Sequence, residues 1–414
     1  MSDQNNSVFE QRVASLRELL DQNDLDALIV SHDDEYLSYE LNEDEERLKY
    51  ITGFSGSAGY AVITSNDLKI NEENIEINQD NTENGIVVDR DCAVFVDGRY
   101  VVQVKEQIDS DIFQDFDLAK VKPAKWISSV MPKNSTVGID INCVSYKEYI
   151  SIKNELGMNN INLVATENNL VDKIWTDKPA SVISEISIFP DEYNGCPSPQ
   201  KRQLIAQTLR DKDLDATVIC DPESICWLLN IRGKDRAYLP VINCKMVAYS
   251  NEALEWYINP NHFKDENLQD QLQEHIGHID IFPEEAFDDV LDRLCSSSCT
   301  VYVDPETTNA HVMTKLYSGG AKVSEGLGLC QMPKACKNHI EVAGEYKAHI
   351  KDGIAMCRFI SWLDNLTALD KPTDSDETFL RRVEGVDEAE LAARALSFRK
   401  VEAGFIEPSF ATIS

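Results

Sequence analysis

Two short stretches of this 414-residue chain carry side chains suited to binding chemistry. Residues 97–100 (DGRY) end an apolar run at a turn, where Arg99 could grip a carboxylate through two parallel hydrogen bonds or form a surface ion pair. Residues 53–59 (GFSGSAG) are the most glycine-dense run, but Ser57 occupies the position where a nucleophile elbow requires glycine. A β-rich run follows where a phosphate loop needs a helix, so we interpret this run as a turn that feeds a strand.

The residue types that perform catalysis are scattered. Among the seven histidines, His275 and His278 are close in sequence but have no carboxylate at ligand spacing. His349 and Asp352 stand one helical turn apart, and two groups are too few for a metal site. The eleven cysteines show no CxxC spacing and indicate reduced thiols. We therefore assign no catalytic residue, no metal ligand and no cofactor to this chain.

Three further windows are interpreted as structural. Residues 230–236 (NIRGKDR) are the most basic short window and are expected to form a loop between domains, with binding as the alternative. Residues 172–179 place a tryptophan beside charges and a proline, which is typical of a linker that latches onto a neighbouring surface. The acidic residues 66–91 lack the EF-hand spacing for calcium and are expected to form a solvated loop.

The elements that position these residues occur twice. LDALIV at 25–30 recurs as LDATVI at 214–219, and each copy follows an amphipathic helical pattern. Ser198 is the expected cap of the second of these helices, with Pro199 at its first position. In both copies a β meander, a helix and another strand follow. The repeat predicts two α/β domains of one design, at 1–172 and 173–330.

A third segment, 331–414, contains too little to fold alone. Asn338 and Glu341 have the spacing of a capping pair, and a helix with an apolar stripe is predicted over 338–363. A second helix is expected over about 387–401, and residues 408–413 resemble the beginning of a strand. The apolar faces need a partner that this segment does not supply.

Composition narrows the classes of partner. With 39 Lys+Arg against 72 Asp+Glu, the formal net charge is −33, which argues against nucleic acid and anionic membranes as partners. No apolar run reaches the roughly 18 residues of a membrane span, and residues 1–10 show no secretory signal. We therefore expect a cytoplasmic protein.

Six motifs in order give the chain a specific resemblance. They are GFSGSAG (53–59), DGRY (97–100), NLVDKIWTDKP (169–179), WLLNIRG (227–233), KACKNHIEVAGEYKAHIKDGIA (334–355) and SFATIS (409–414). Together they closely resemble the long, three-domain form of aminopeptidase P, or Xaa-Pro aminopeptidase. The resemblance implies two creatinase-type N-terminal α/β domains, with 331–414 as the first helices of a pita-bread peptidase domain. It also implies a peptide-contacting role for Arg99.

The same resemblance implies an activity and shows one departure. The family removes an N-terminal residue that precedes proline, acts on proline-containing peptides, uses two metal ions, usually manganese, and is commonly a cytoplasmic homodimer. Its metal ligands follow the segment that SFATIS resembles, so none can be assigned here and the chain alone is expected to be inactive. The expected partner is a second copy or a missing C-terminal half. The alternatives are a truncated or split peptidase, a non-catalytic peptide- or protein-binding homologue, or a remnant without function.

Overall fold

The computed structural model describes residues 2–66, 86, 88–264, 267–367 and 385–413. Most of the expected solvated loop at 66–91 therefore lies outside the described residues, as does Ser414 at the end of the SFATIS motif.

The first repeat is a six-stranded sheet with the strand order β4-β3-β2-β1-β5-β6. All five residues of its central strand β1 are buried, because helices cover both faces of the sheet. The strands are β1 (Ala27–Ser31), β2 (Gly59–Thr64), β3 (Cys92–Val96), β4 (Phe113–Asp117), β5 (Thr136–Ile139) and β6 (Asn162–Ala165). The helices are α1 (Ser2–Gln22), α2 (Arg47–Thr52), α3 (Gln103–Gln107), α4 (Pro123–Val130), α5 (Tyr146–Met158) and α6 (Leu170–Ile174).

The second repeat is a sheet with the order β12-β11-β10-β8-β13-β14, and a short pair, β7-β9, lies beside it. The strands are β7 (Ser187–Ile188), β8 (Ala216–Ile219), β9 (Ile231–Arg232), β10 (Cys244–Tyr249), β11 (Leu254–Ile258), β12 (Asp280–Pro283), β13 (Thr300–Val303) and β14 (Lys322–Glu325). The helices are α7 (Asp191–Asn194), α8 (Ser198–Asp211), α9 (Pro222–Leu229), α10 (Leu268–Ile276), α11 (Phe287–Ser296) and α12 (Ala310–Ser318).

The register of the two sheets confirms the predicted duplication. Each central strand pairs antiparallel with the meander strand and parallel with the strand after the crossover helix. The aspartate of each LDA sequence makes the equivalent contact: Asp26 accepts a hydrogen bond from Thr136 N and Asp215 accepts one from Thr300 N, each at 2.7 Å. Two copies of one fold class, α/β, therefore account for the chain up to β14.

The two repeats meet through equivalent loops. Ser145 forms an antiparallel bridge with Asn309, its counterpart in the second repeat. Tyr146 N donates to Thr308 O at 3.0 Å, and the reciprocal bond from Ala310 N to Val144 O measures 2.9 Å. The same patch contacting itself across the two repeats is the arrangement of an isologous dimer, here within one chain.

Residues after β14 form the helices α13 (Gln331–Ala335), α14 (His339–Thr367) and α15 (Glu388–Lys400). The predicted capping pair is confirmed, because Asn338 N donates to Glu341 Oε2 at 2.9 Å and Glu341 N to Asn338 Oδ1 at 3.1 Å. The expected strand at 408–413 is wrong: these residues form no regular element. A strand needs a neighbour to pair with, and the described part of this segment contains only helices.

The expected Ser198 cap is also wrong. The helix α8 begins at Ser198 itself, with Pro197 at the N-cap position. The hydroxyl of Ser198 is buried without a hydrogen-bond partner among the described residues. None of the described helices is long and apolar enough to cross a bilayer.

Candidate functional site

The turn after β3 holds Arg99 in a defined position. Asp97 caps the 3-10 helix Gly98–Tyr100, and its Oδ1 accepts from Arg99 N at 3.0 Å and from Arg99 Nε at 2.8 Å. Hydrogen bonds from the backbone and then the side chain of Arg99 hold the pKa of Asp97 below its ordinary value. The Arg99 side chain remains 60% exposed, and its two terminal nitrogens have no hydrogen-bond partner among the described residues.

The glycine-rich loop packs directly on this turn. Ser57 Oγ lies 2.6 Å from the Tyr100 hydroxyl, and the Phe54 and Tyr100 rings meet edge-on with centroids 5.6 Å apart. A Cβ atom at Gly56 would lie 2.3 Å from Phe54 Cζ, so this position accepts only glycine without rearrangement. The loop leads into β2, as predicted, and the structure brings the two motifs that were singled out separately in the sequence into one patch.

Two glutamines of α3 complete the patch. Gln107 Oε1 accepts from the backbone N–H of Ser55 at 2.9 Å. Gln103 and Gln107 also donate to Ser55 Oγ, at 3.2 and 2.8 Å. Ser55 itself is exposed. The patch therefore offers one guanidinium, several hydroxyl and amide groups and exposed backbone, which suits binding of a polar or acidic chain.

The second repeat contains the same turn in a different setting. Asn259 caps the 3-10 helix Pro260–His262, as Asp97 caps its counterpart. His262 stands where Tyr100 stands in the first repeat, but it is buried, with Nδ1 2.7 Å from Ser184 O and Nε2 3.5 Å from Asp235 Oδ2. The linker between the repeats thus covers the second turn and leaves the first one open.

The basic window 230–236 contacts the first repeat, as expected of a loop between domains. Arg236 is fully buried and hydrogen-bonds to Asp34 and Glu45, while Asn42 Nδ2 donates to Asp235 O at 2.8 Å. Burial raises the pKa of Glu45 to about 7, against the opposing effect of Arg236. The sequence analysis did not single out Asp34 and Glu45. The acidic residues at 33–35 and 43–46 were the available indication that a basic residue would contact this region.

The predicted linker latch is present. Asp172 accepts two hydrogen bonds from Arg47, at 2.9 and 3.0 Å, and one from Lys178 at 2.9 Å. The Trp175 ring stacks on Tyr50 with centroids 4.6 Å apart. These contacts fasten the start of the linker to α2.

The described residues contain one group of carboxylates close enough to share a metal ion, namely Asp34, Glu35 and Glu45. This group does not fit a metal, because Arg236 already hydrogen-bonds to Asp34 and Glu45, while Arg47 binds Glu35 at 2.8 Å. The histidine pairs considered in the sequence also serve other contacts: His275 Nε2 lies 3.3 Å from a backbone oxygen, and His278 lies 3.5 Å from Asp280. Asp352, beside His349, pairs with Arg399 at 2.6 Å.

The third segment is fastened to the second repeat and exposes its apolar stripe. Asn338 Nδ2 donates to Asn194 O at 2.7 Å, and Lys334 lies 3.6 Å from Asp221. Among the residues of α14 predicted to form the stripe, Tyr346, Ile350 and Ile354 are exposed. A groove of about 790 Å³ runs between α14 and α15, lined by Ile350, Ile354, Cys357, Trp362 and Phe398.

Comparison with known proteins places this fold in a class. Residues 12–82 and 177–341 match models of the creatinase/prolidase N-terminal domain, one in each repeat. The crystal structure of X-prolyl aminopeptidase from Caenorhabditis elegans, described as a cytosolic enzyme with a di-nuclear active site, superposes with a TM-score of 0.80. The superposition covers 97% of this chain and 61% of that one at 22% identity, which defines the fold. The chain is a protein with creatinase/prolidase-type N-terminal domains.

The sequence relatives that match nearly all of this chain share one enzyme name. Xaa-Pro aminopeptidase ApepP of Drosophila melanogaster is 28% identical over 98% of this chain and 61% of its own length. A probable Xaa-Pro aminopeptidase P of Talaromyces marneffei is 29% identical over 98% of this chain and 57% of its own length. The chain is therefore similar to Xaa-Pro aminopeptidases over nearly its whole length, and it spans about three fifths of the length of these relatives.

Proposed function

We propose that residues 1–414 provide the substrate-recognition part of an Xaa-Pro aminopeptidase, which removes an N-terminal residue preceding proline. The observation that carries the proposal is the patch around Arg99, on a chain whose relatives bear that enzyme name. In this proposal residues 1–172 and 173–330 are the two creatinase-type domains, and residues 331–414 begin the pita-bread peptidase domain. The cytosolic description of the C. elegans relative supports a cytoplasmic location.

Arg99 is the proposed substrate-contacting residue. Asp97 holds Nε of the guanidinium, and this leaves the two terminal nitrogens on an exposed side chain as the donors for a ligand. Such a pair of donors matches a peptide carboxylate or a peptide carbonyl. The anchored stem lowers the conformational entropy that Arg99 loses when it binds.

Peptide hydrolysis is proposed to require polypeptide beyond these residues. The described residues offer no carboxylate and histidine set suited to two metal ions, since the one carboxylate group is held by arginines. The exposed apolar face of α14 is the proposed contact for a peptidase portion that carries the ligands, with manganese as the expected metal. Burial of apolar surface at roughly 25 cal/mol per Å² would stabilise that contact. A second copy of the chain is the other proposed partner.

The test compares this chain alone with a fusion in which the C-terminal part of the Drosophila relative follows residue 414. Cleavage of an Xaa-Pro peptide is measured with manganese present. We expect no metal-dependent cleavage by the chain alone and cleavage by the fusion. Metal-dependent cleavage by the purified 414-residue chain would show that the catalytic centre is within it. An inactive fusion that binds manganese would favour the non-catalytic binding homologue.

Two variants of the active fusion test the role of Arg99. Arg99→Ala is expected to raise KM severalfold with a smaller change in kcat, because the residue holds substrate away from the reacting bond. Arg90→Ala is the matched control, since Arg90 is a half-exposed arginine that hydrogen-bonds to Ser110 O and Asp89 O. An equal rise in KM for both variants would mean that net charge, rather than the Arg99 contact, matters.

A further inference from the structure

The two repeats contain the same loop in two states. Residues 53–56 follow α2 and residues 230–233 follow α9, and each loop begins with a residue in the left-handed region, Gly53 at φ 84° and Asn230 at φ 52°. Each loop has glycine three positions later and leads toward the meander strand that pairs with the central strand. The backbone at Phe54 and Ser55 therefore corresponds to the backbone of β9.

In the second repeat a strand from the linker covers this backbone. Ser187 pairs with Arg232 and Ile188 with Ile231 in antiparallel register, and Phe189 N donates to Asn230 O at 2.8 Å. Phe189 and Asn230 are thus a hydrogen-bonded pair. Because hydrogen-bonded and non-hydrogen-bonded pairs alternate along an antiparallel ladder, Ser187 and Arg232 form the next hydrogen-bonded pair. The linker thus shows what kind of segment this loop edge accepts, namely an extended peptide.

In the first repeat a side chain takes the place of that strand. Ser55 N donates to the side-chain oxygen of Gln107, which is an amide carbonyl like that of a peptide. Among the described residues, no hydrogen-bond donor reaches the carbonyl oxygens of Gly53 or Ser55. Ser55 is exposed, so this edge is open to a partner strand.

The path of the linker also indicates where a peptide bound at the first repeat would continue. Its Ser184 O meets His262, and the residue equivalent to His262 in the first repeat is Tyr100, next to Arg99. A peptide following the equivalent path would run from the Phe54–Ser55 edge to Arg99. We propose that an extended peptide adds as a strand to Phe54 and Ser55, displaces Gln107 from Ser55 N, and places an acidic group against Arg99.

This inference deepens the proposed function and rests on it for the identity of the peptide. The peptide is then the part of the substrate that follows proline. Main-chain hydrogen bonds would hold it in a way that depends little on its side chains, while Arg99 adds a preference for acidic groups.

The probe is a synthetic peptide with the sequence of residues 184–189, Ser-Glu-Ile-Ser-Ile-Phe, titrated into the full 414-residue chain by calorimetry. N-methylation of its fourth or sixth residue removes a donor to the Ser55 or Gly53 carbonyl and is expected to weaken binding about tenfold. N-methylation of the fifth residue, whose N–H points away from the edge, is the matched control and is expected to change binding less than about twofold. Equal losses at all three positions, or no binding of the parent peptide, would overturn the strand mode.

Variants of the protein locate the peptide on the first repeat. Gln107→Ala removes the group that competes for Ser55 N and is expected to tighten binding about two- to fivefold. Glu106→Gln, at an exposed position of the same helix, is its control, and binding should stay constant. Weaker or unchanged binding by Gln107→Ala would contradict displacement. Binding is measured without catalysis, so an inactive fusion would count against the proposed function and leave this result standing.

Discussion

The turn after β3 and the turn after β11 are the same structure put to different uses. In each, the side chain of the capping residue accepts from the backbone N–H two positions later at 3.0 Å, Asp97 for Arg99 and Asn259 for Asn261. The first turn exposes Arg99 and joins Tyr100 to Ser57 at the surface. The second buries His262 under the linker.

The difference shows that two copies of one turn can have different surroundings. Beside the covered second turn, the loop 230–236 places Arg236 against the first repeat. Arg236 is buried there in contact with Asp34 and Glu45. The uncovered turn keeps exposed backbone and a charged side chain, which are the properties of a binding site. The loop beside the covered turn therefore contributes to the contact between the repeats, and the open turn is available for the proposed contact with a peptide.

The largest expected effect is that of replacing Arg236, in the loop beside the covered turn of the second repeat. Arg236→Met would leave the buried carboxylates of Asp34 and Glu45 without their cation, at a cost of about 3–5 kcal/mol in the free energy of unfolding. Urea denaturation measures it. Arg236→Lys keeps the charge and should lose less, and Arg99→Ala on the open copy should stay within about 0.5 kcal/mol. Similar losses for Arg236→Met and Arg99→Ala would erase the distinction between the copies.

Packing of the open copy can be tested at its glycines. Gly56→Ala would put a Cβ atom 2.3 Å from Phe54 Cζ and 2.9 Å from Tyr100 Cγ, and we expect a loss of about 1–3 kcal/mol. Gly98→Ala in the neighbouring turn is the control, because no described heavy atom lies within 4 Å of the new Cβ. Thermal unfolding of both variants should separate them. An unchanged melting temperature for Gly56→Ala would mean that the loop is not packed on the turn.

The bond between Ser57 and Tyr100 gives a smaller effect. Tyr100→Phe removes a hydroxyl that lies 2.6 Å from Ser57 Oγ, and we expect a loss of about 1 kcal/mol. Tyr39→Phe serves as control, since the Tyr39 side chain is 66% exposed. Chemical denaturation that finds equal stabilities for the two variants would show that the contact contributes nothing to the open turn.

The latch between the copies predicts a modest pH dependence. Burial alone would raise the pKa of Asp172, but hydrogen bonds from Arg47 and Lys178 hold that pKa below its ordinary value of 3.8. A carboxyl group with a depressed pKa in the folded state contributes stability above about pH 4 and loses it as the pH falls through the folded-state pKa. Unfolding measured from pH 7 to pH 3 should show a smaller drop for Asp172→Asn than for the natural chain. Parallel curves would exclude Asp172 as a source of the pH dependence.

Much of the fold could be predicted because its signals are local or repeated. The LDA sequences predicted two equivalent sheets, and the spacing of Asn338 and Glu341 predicted a helix start that the structure confirms. The strand expected at 408–413 failed because pairing, rather than composition, stabilises a strand. For the candidate site, the sequence singled out the Gly-rich run and DGRY but gave no reason to join them.

What the sequence determined by itself was the duplication of the sheets, the start of α14 and the apolar stripe along that helix, since these follow from hydrophobic periodicity and capping within a few residues. Only the tertiary structure decided that Arg236 would be buried in contact with Asp34 and Glu45, from which it is separated by 202 and 191 positions. It also decided which of two equivalent turns would be covered. The physical reason is that burial and charge pairing depend on which surfaces meet, and two copies with the same local pattern met different neighbours.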